Sequence, residues 1–141
     1  MTVSFIVPGV PRGKQRPRFV RATGNVYTPE QTRSYESQVR GFAFEAMQGK
    51  VLMTGPVSVT MTAKFLVPKS YSRKKTEAAL AGWLYPPRPD LDQLEKSCLD
   101  GMNSVVFADD AQVVMMISSK GYGEVAQLKV AVTEFVRIDA A

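Results

Sequence analysis

Patterns of hydrophobic and polar residues predict the first elements of the chain. Thr2–Pro8 is rich in β-branched and aromatic residues, and Val57–Val67 alternates apolar with polar side chains, as a strand with one buried face does. Between them, from Tyr35 to Met47, apolar residues recur every three or four positions, which is the spacing of one helix face. We therefore predict a strand, a helix and a strand in this order.

Glycine, proline and small polar residues predict where these elements begin and end. Thr28 or Pro29 is expected to open the helix and Gly49 to end it. Before the helix, the Gly24-Asn25 turn predicts a short hairpin that joins Phe19–Val20 to Val26–Tyr27.

The middle of the chain predicts two further helices. Ser72 is expected to cap a short helix that runs to Leu80–Trp83, and the proline-rich tract Tyr85–Pro89 is expected to be extended. The next helix should start near Asp90–Asp92. Its apolar face consists of Leu94, Cys98, Leu99 and Met102.

The end of the chain predicts two strands and completes the fold class. Ala111–Ser118 and Val125–Ile138 are expected to form a hairpin across a turn at Lys120–Gly123. The order β, α, β, short α, α, β, β indicates an α+β fold, with one mixed β-sheet and helices packed mainly on one face. Because no segment of the sequence has the composition of a linker, we expect residues 1–141 to form a single domain.

Composition excludes several kinds of chemistry. The chain contains no histidine, so it has no Ser-His-Asp or Cys-His nucleophile and no zinc site with a histidine ligand. A bound metal must therefore be held by oxygen atoms, which favours Mg²⁺ or Mn²⁺. The single Cys98 excludes an internal disulfide and fits a cytoplasmic location, and no apolar run approaches the roughly 20 residues of a membrane span.

The positive charge is concentrated in two segments. The net charge is +5, and the first segment carries it without any acidic residue between Arg12 and Arg21. Extended backbone would place alternate cations of this run on one side, where they favour binding to nucleic-acid phosphates, although a solvated loop would look similar. The candidate phosphate contacts are Arg12, Lys14, Arg16 and Arg18 in this segment, and Arg73, Lys74 and Lys75 in the second.

The acidic residues are concentrated between Arg88 and Val113, where six of the thirteen lie. If Asp90 and Asp92 lie on extended backbone that enters a helix, both carboxylates point the same way, and Asp109 or Asp110 could approach them. Three such carboxylates repel one another unless a divalent cation lies between them.

Each of these acids also has an ordinary structural interpretation. Asp92 and Glu95 match a helix N-cap followed by an acidic third residue, and Asp92 with Lys96 matches a surface ion pair one helical turn apart. Asp109 and Asp110 are common turn residues.

Three motifs together resemble one known family. The run Asp90-Leu-Asp-Gln-Leu-Glu-Lys96, a further Asp100 and then Asp109-Asp-Ala-Gln112 closely resemble the RusA family of Holliday junction resolvases, whose pattern is DxDNxxK followed by an Asp-Asp-x-Gln element. Lys14–Arg18 followed by Val26–Pro29 is similar to the opening of phage and prophage members. The resemblance covers most of the chain, from Arg12 to about Val113, with the order and spacing of the motifs preserved.

The resemblance implies a homodimeric, Mg²⁺-dependent endodeoxyribonuclease that acts on four-way DNA junctions in recombination and repair, with Mn²⁺ able to replace Mg²⁺. It places the metal-binding acids at Asp90, Asp92 and Asp110 and a catalytic lysine at Lys96. Gln93 departs from the family's asparagine. Two alternatives stay open: a non-catalytic module that binds branched DNA, and a Mg²⁺ nuclease that acts on other branched nucleic acids.

Overall fold

A mixed four-stranded sheet and three helices form the structure, a computed structural model that describes residues 1–27 and 29–135. For Arg18 and Tyr27 only the backbone is described. In chain order the elements are β1 (Thr2–Pro8), β2 (Arg18–Val20), β3 (Asn25–Tyr27), α1 (Glu30–Met47), β4 (Val57–Leu66), α2 (Arg73–Leu80), α3 (Leu91–Met102), a 3₁₀ turn (Asp110–Gln112), β5 (Val113–Gly123) and β6 (Gln127–Glu134).

The strand order in the sheet is β1-β6-β4-β5. Strand β6 is antiparallel to both of its neighbours, whereas β4 and β5 are parallel, so the sheet is mixed. Alternate residues of β1, β4 and β6 are buried on one face, where α1 and α3 contribute the other half of the core. The α+β class and the one-sided placement of the helices are therefore confirmed.

Helices α1 and α3 approach each other closely at a glycine. A Cβ atom on Gly101 would lie 2.7 Å from Cβ of Val39 and 3.0 Å from the carbonyl oxygen of Glu36. These separations are too short for non-bonded atoms, so only glycine allows α3 to lie this close to α1. The acidic helix is thereby fixed against the first helix.

The predicted terminal hairpin is wrong. Residues 120–123 continue β5 rather than turning, and β6 lies between β1 and β4 instead of beside β5. Gly121 and Gly123 suggested a turn, but the Lys64 side chain of β4 lies over both of them. A Cβ added to Gly121 would lie 3.3 Å from Lys64 Nζ. Both glycines therefore lie inside a paired strand beside a neighbouring side chain and do not mark a bend.

The other boundaries follow the sequence closely. Pro29 is the N-cap of α1, while the suggested capping role of Thr28 lies outside the described residues. Gln48 and Gly49 end α1 with positive φ angles of 51° and 75°. Ser72 caps α2 by accepting the Lys75 N–H at 3.1 Å. The predicted extension of the last strand to Ile138 also lies outside the described part.

Within residues 1–27 and 29–135, none of the helices combines the length and the apolar character that crossing a bilayer requires.

Candidate active site

Asp90 and Asp92 lie together at the N-terminus of α3. Asp90 is the N-cap residue, with an extended backbone, and its carbonyl oxygen accepts the N–H groups of Gln93 and Leu94. Its carboxylate makes no capping hydrogen bond with the helix. Asp92 lies in the first turn. Both acids are therefore at the positive end of the helix dipole, and the helix does not use the Asp90 side chain to satisfy its own amides.

Strand β5 anchors the same end of α3. Lys120 Nζ donates a hydrogen bond to the carbonyl oxygen of Pro89 at 2.9 Å, one residue before Asp90. Ser118 Oγ donates to Glu95 Oε2 at 2.5 Å. These two bonds connect the edge of the sheet to both sides of the Asp90–Asp92 pair, so its backbone position is set by the sheet as well as by the helix.

Asp110 is presented by a turn that its neighbours in the sequence stabilise. The Gln112 side-chain oxygen accepts the N–H groups of Ala108 and Asp109 at 2.8 and 3.0 Å. The same amide donates to the carbonyl oxygens of Met53 and Gly55, both at 2.9 Å. Asp109 Oδ1 accepts the N–H of Ala111 at 3.4 Å. In the Asp-Asp-Ala-Gln element, Asp109 and Gln112 thus build the turn and leave Asp110 to face α3.

Lys96 connects the two acidic motifs. Its Nζ atom lies 3.2 Å from Asp110 Oδ2 and 3.1 Å from Asp100 Oδ1. The hydrogen bond to Asp100 raises the pKa of Lys96, burial partly opposes this, and the hydrogen bond to Asp110 raises it further. The net shift of the Lys96 pKa is upward, because the two carboxylates favour its charged form.

The surface ion pair of Lys96 with Asp92, the ordinary alternative interpretation of these two residues, is not found among the described residues. A lysine on a helix has neighbours both four positions before and four positions after it. Here the later acid, Asp100, takes the contact, because the ammonium group then also reaches Asp110. The ion pair is therefore part of the site rather than a local helix contact.

The three proposed metal ligands do not form a ready-made cage. Across residues 1–27 and 29–135, no three acidic or cysteine side chains approach one another closely enough to hold an ion. The predicted convergence of Asp90, Asp92 and Asp110 on one point is thus not present in this arrangement. The donor chemistry nevertheless fits Mg²⁺, which proteins often bind through one or two carboxylates, with phosphate and water completing the shell.

The basic run does not present its cations on one side. Residues 10–17 form no strand, and Arg12 and Arg16 are exposed, whereas Lys14 is turned inward. Lys14 Nζ lies 2.6 Å from Glu36 Oε1 and 3.1 Å from Asp100 Oδ2. The side chain of Arg18 lies outside the described part. Alternate side chains share one side only in a strand. Residues 10–17 form no strand, so the alternation of basic residues does not predict where their side chains point.

The second basic cluster lies on α2. Arg73 pairs with Glu77 at 3.5 Å on the surface, and Lys75 Nζ lies 4.1 Å from the centre of the Tyr71 ring. Lys74 is also exposed. These contacts orient two of the three cations without burying them, so their charges face solvent.

A cavity of about 450 Å³ adjoins the acidic pair. Its lining includes Asp90, Gln93, Arg12, Lys14 and Arg88. One wall is thus the start of α3, and the other is the basic segment that precedes β2. The cavity therefore brings cationic side chains and an acid of the α3 N-terminus into one space.

Two acids of the site were given no role from the sequence. Asp100 belongs to the run that resembles the family, and its position four residues after Lys96 could have suggested their contact. Glu36 lies on a different helix and 22 residues from its partner Lys14, and no local pattern indicates that contact.

Comparisons with known proteins agree with the motifs. Residues 8–133 match the family model described as Endodeoxyribonuclease RusA. The chain is also 33% identical over 136 residues to the uncharacterized protein YqaN of Bacillus subtilis (strain 168), an alignment that covers 94% of this chain and 96% of that protein. The resemblance seen in the motifs is confirmed, and the chain belongs to the RusA family of endodeoxyribonucleases.

Proposed function

We propose that this chain is a Mg²⁺-dependent, structure-specific endodeoxyribonuclease that resolves Holliday junctions by paired phosphodiester hydrolysis. Family membership supports the class of reaction. The observation that carries the proposal is the 3.2 Å contact between Lys96 and Asp110, which places Asp110 beside the helix whose first turn carries Asp92. We assign the activity to one domain that spans residues 1–141 and acts in the cytoplasm.

In this proposal the carboxylates of Asp90, Asp92 and Asp110 would hold Mg²⁺, with Mn²⁺ able to replace it. The ion would polarise the scissile phosphate and lower the pKa of a bound water molecule. Lys96, a fixed cation beside Asp110, stabilises the negative charge that develops on the phosphate. Hydrolysis breaks the bond from phosphorus to the 3′ oxygen and leaves 5′-phosphate and 3′-hydroxyl ends.

Cations of the two basic segments hold the DNA through its phosphates. Those that we propose as phosphate contacts are Arg12, Arg16, Arg18, Arg73, Lys74 and Lys75. Because a junction is symmetric and two opposed strands are cut, the active form is proposed to be a homodimer with a two-fold axis. Sedimentation of the free protein measures this directly.

Replacement of Asp90 by asparagine tests the proposal. Asp90→Asn should abolish cleavage of a synthetic four-way junction in Mg²⁺ or Mn²⁺, while the dissociation constant for the junction changes little. Binding should persist because the Asp90 carboxylate makes no capping hydrogen bond, so α3 should fold without its charge. Glu45→Gln, an exposed acid on α1, is the control and should cleave like the unaltered chain.

The same assay separates the alternatives. If the unaltered chain binds junctions but never cuts them, the chain is a non-catalytic module that binds branched DNA. If it cuts flaps or branched RNA of equal length as fast as junctions, the nuclease has a broader substrate. Equal loss of binding and cleavage in Asp90→Asn would make Asp90 a structural residue.

A further inference from the structure

Lys14 occupies an unusual place for a member of a basic run. Its side chain is only 24% exposed, and its ammonium group lies between two carboxylates, those of Glu36 on α1 and Asp100 on α3. Burial lowers its pKa, but hydrogen bonds and charge from Glu36 and Asp100 outweigh that effect and leave the pKa above its ordinary value. Its charge is therefore paired with two acids of the same chain.

Asp100 joins Lys14 to the active site. One carboxylate oxygen, Oδ2, lies 3.1 Å from Lys14 Nζ, and the other, Oδ1, lies 3.1 Å from Lys96 Nζ. The side chain of Asp100 is 16% exposed, whereas that of Lys96 is 53% exposed. Glu36, Lys14, Asp100, Lys96 and Asp110 thus form a chain of alternating charge, which we call the charge network.

Backbone contacts fix Lys14 independently of its charge. The Lys14 N–H donates to the carbonyl oxygen of Gln93 at 2.8 Å, and buried Ser97 Oγ donates to the carbonyl oxygen of Arg12 at 2.7 Å. At Gly13, an added Cβ would lie 2.9 Å from Cβ of Gln93. Residues 12–15, which we call the docked segment, are therefore held on α3 at three consecutive positions.

We propose that Lys14 and Asp100 are positioning residues that hold the Lys96 ammonium group against Asp110. A lysine side chain has several rotatable bonds, and one contact with a partly exposed acid leaves it mobile. Asp100 supplies a second contact, and Lys14 orients the Asp100 carboxylate by occupying its other oxygen. Lys14 thus acts within the protein and contacts no phosphate. This inference rests on the proposed role of Lys96.

Asp100→Asn and Lys14→Gln test the proposal on a synthetic junction. At saturating protein, each should lower the single-turnover cleavage rate by about tenfold or more, because a displaced catalytic group loses rate steeply. The dissociation constant should change less than twofold. Lys14→Arg, which keeps the charge, should recover most of the rate, and Arg40→Gln on the exposed face of α1 is the matched control.

Salt dependence separates positioning from DNA contact. The slope of log Kd against log salt should be unchanged in Lys14→Gln, whereas loss of one phosphate contact would reduce it by about 0.9. Arg16→Gln should show that reduction. A reduced slope in Lys14→Gln, or an unchanged rate in Asp100→Asn, overturns the proposal.

A measurement without DNA distinguishes failure of the network from failure of the proposed function. In urea unfolding, the effects of Asp100→Asn and Lys96→Met should be non-additive, since the two side chains are in contact. Strict additivity would overturn the network even in an active enzyme. If the unaltered chain cuts no junction but the coupling is present, the proposed function fails while the network stands.

Discussion

The docked segment and the hairpin β2–β3 are neighbours in the chain, yet they are held in different ways. The docked segment is tied to α3 by backbone hydrogen bonds, and Gln15 N–H also donates to the buried Thr32 at 3.1 Å. In the hairpin, by contrast, no described side chain from Phe19 to Val26 is buried. Phe19 and Val26 pair across its strands but are 62% and 65% exposed.

This difference shows that neighbouring cations of one basic run lie in different surroundings. Lys14 lies where the chain is pinned to a helix, so its charge is used inside the protein. Arg16 follows two residues later, where the chain leaves that helix, and its charge faces solvent. Both positions carry a basic residue of the same alternating run. The backbone contacts of the segment therefore decide whether the side chain lies against the protein or in solvent.

The largest effect on the docked segment is expected when α3, to which it is bound, is moved away from α1. Gly101→Ala should destabilise the fold by about 2 kcal/mol, because its Cβ would meet Val39 and the backbone of Glu36. Gly41→Ala on α1 is the matched control, since nothing lies within 4 Å of its added Cβ. Helix propensity should make that variant about 1 kcal/mol more stable. Urea unfolding measures both, and equal effects would contradict the close helix contact.

A smaller change loosens the docked segment alone. Ser97→Ala removes the donor to the Arg12 carbonyl oxygen, so the free energy of unfolding should fall by about 1 kcal/mol. Amide hydrogen exchange should then speed up at Lys14, whose N–H is bonded to Gln93. Unchanged exchange at Lys14 would mean that the segment is held without Ser97.

The smallest effect is expected in the hairpin. Phe19→Thr should change the free energy of unfolding by less than about 0.5 kcal/mol, because an exposed side chain outside the core contributes little. Thermal and urea unfolding check this. A loss comparable to that of Ser97→Ala would show that the hairpin packs on the body of the protein, and the contrast between the two regions would disappear.

Much of the fold was predictable because its local signals are strong. Alternation located β4, helical spacing located α1, and Ser72 marked the start of α2 within one residue. The failure at β5 and β6 came from Gly121 and Gly123, which suggested a turn but lie within β5, paired with Lys64 and Leu66 of β4. A contact of that kind is not encoded in neighbouring residues, and neither is strand order.

In the candidate site, too, local features were predictable and contacts between distant residues were not. Motif spacing placed Asp90 and Asp92 at the start of a helix and Asp110 in a turn, as the structure has them. It could not choose between Asp92 and Asp100 as the partner of Lys96, because both are four residues away. The inward turn of Lys14 depends on Glu36, a residue of another helix, so only the folded chain reveals it.

The burial of Cys98 has a practical consequence for studying this molecule. It is the only cysteine of the chain, it is fully enclosed in the core, and burial raises its pKa to about 12. A native thiol in that state does not compete for maleimide or iodoacetamide reagents. A dye or spin label attached through a cysteine introduced at the hairpin tip, at Ala22, would therefore report on that tip alone, with no need to delete a natural residue.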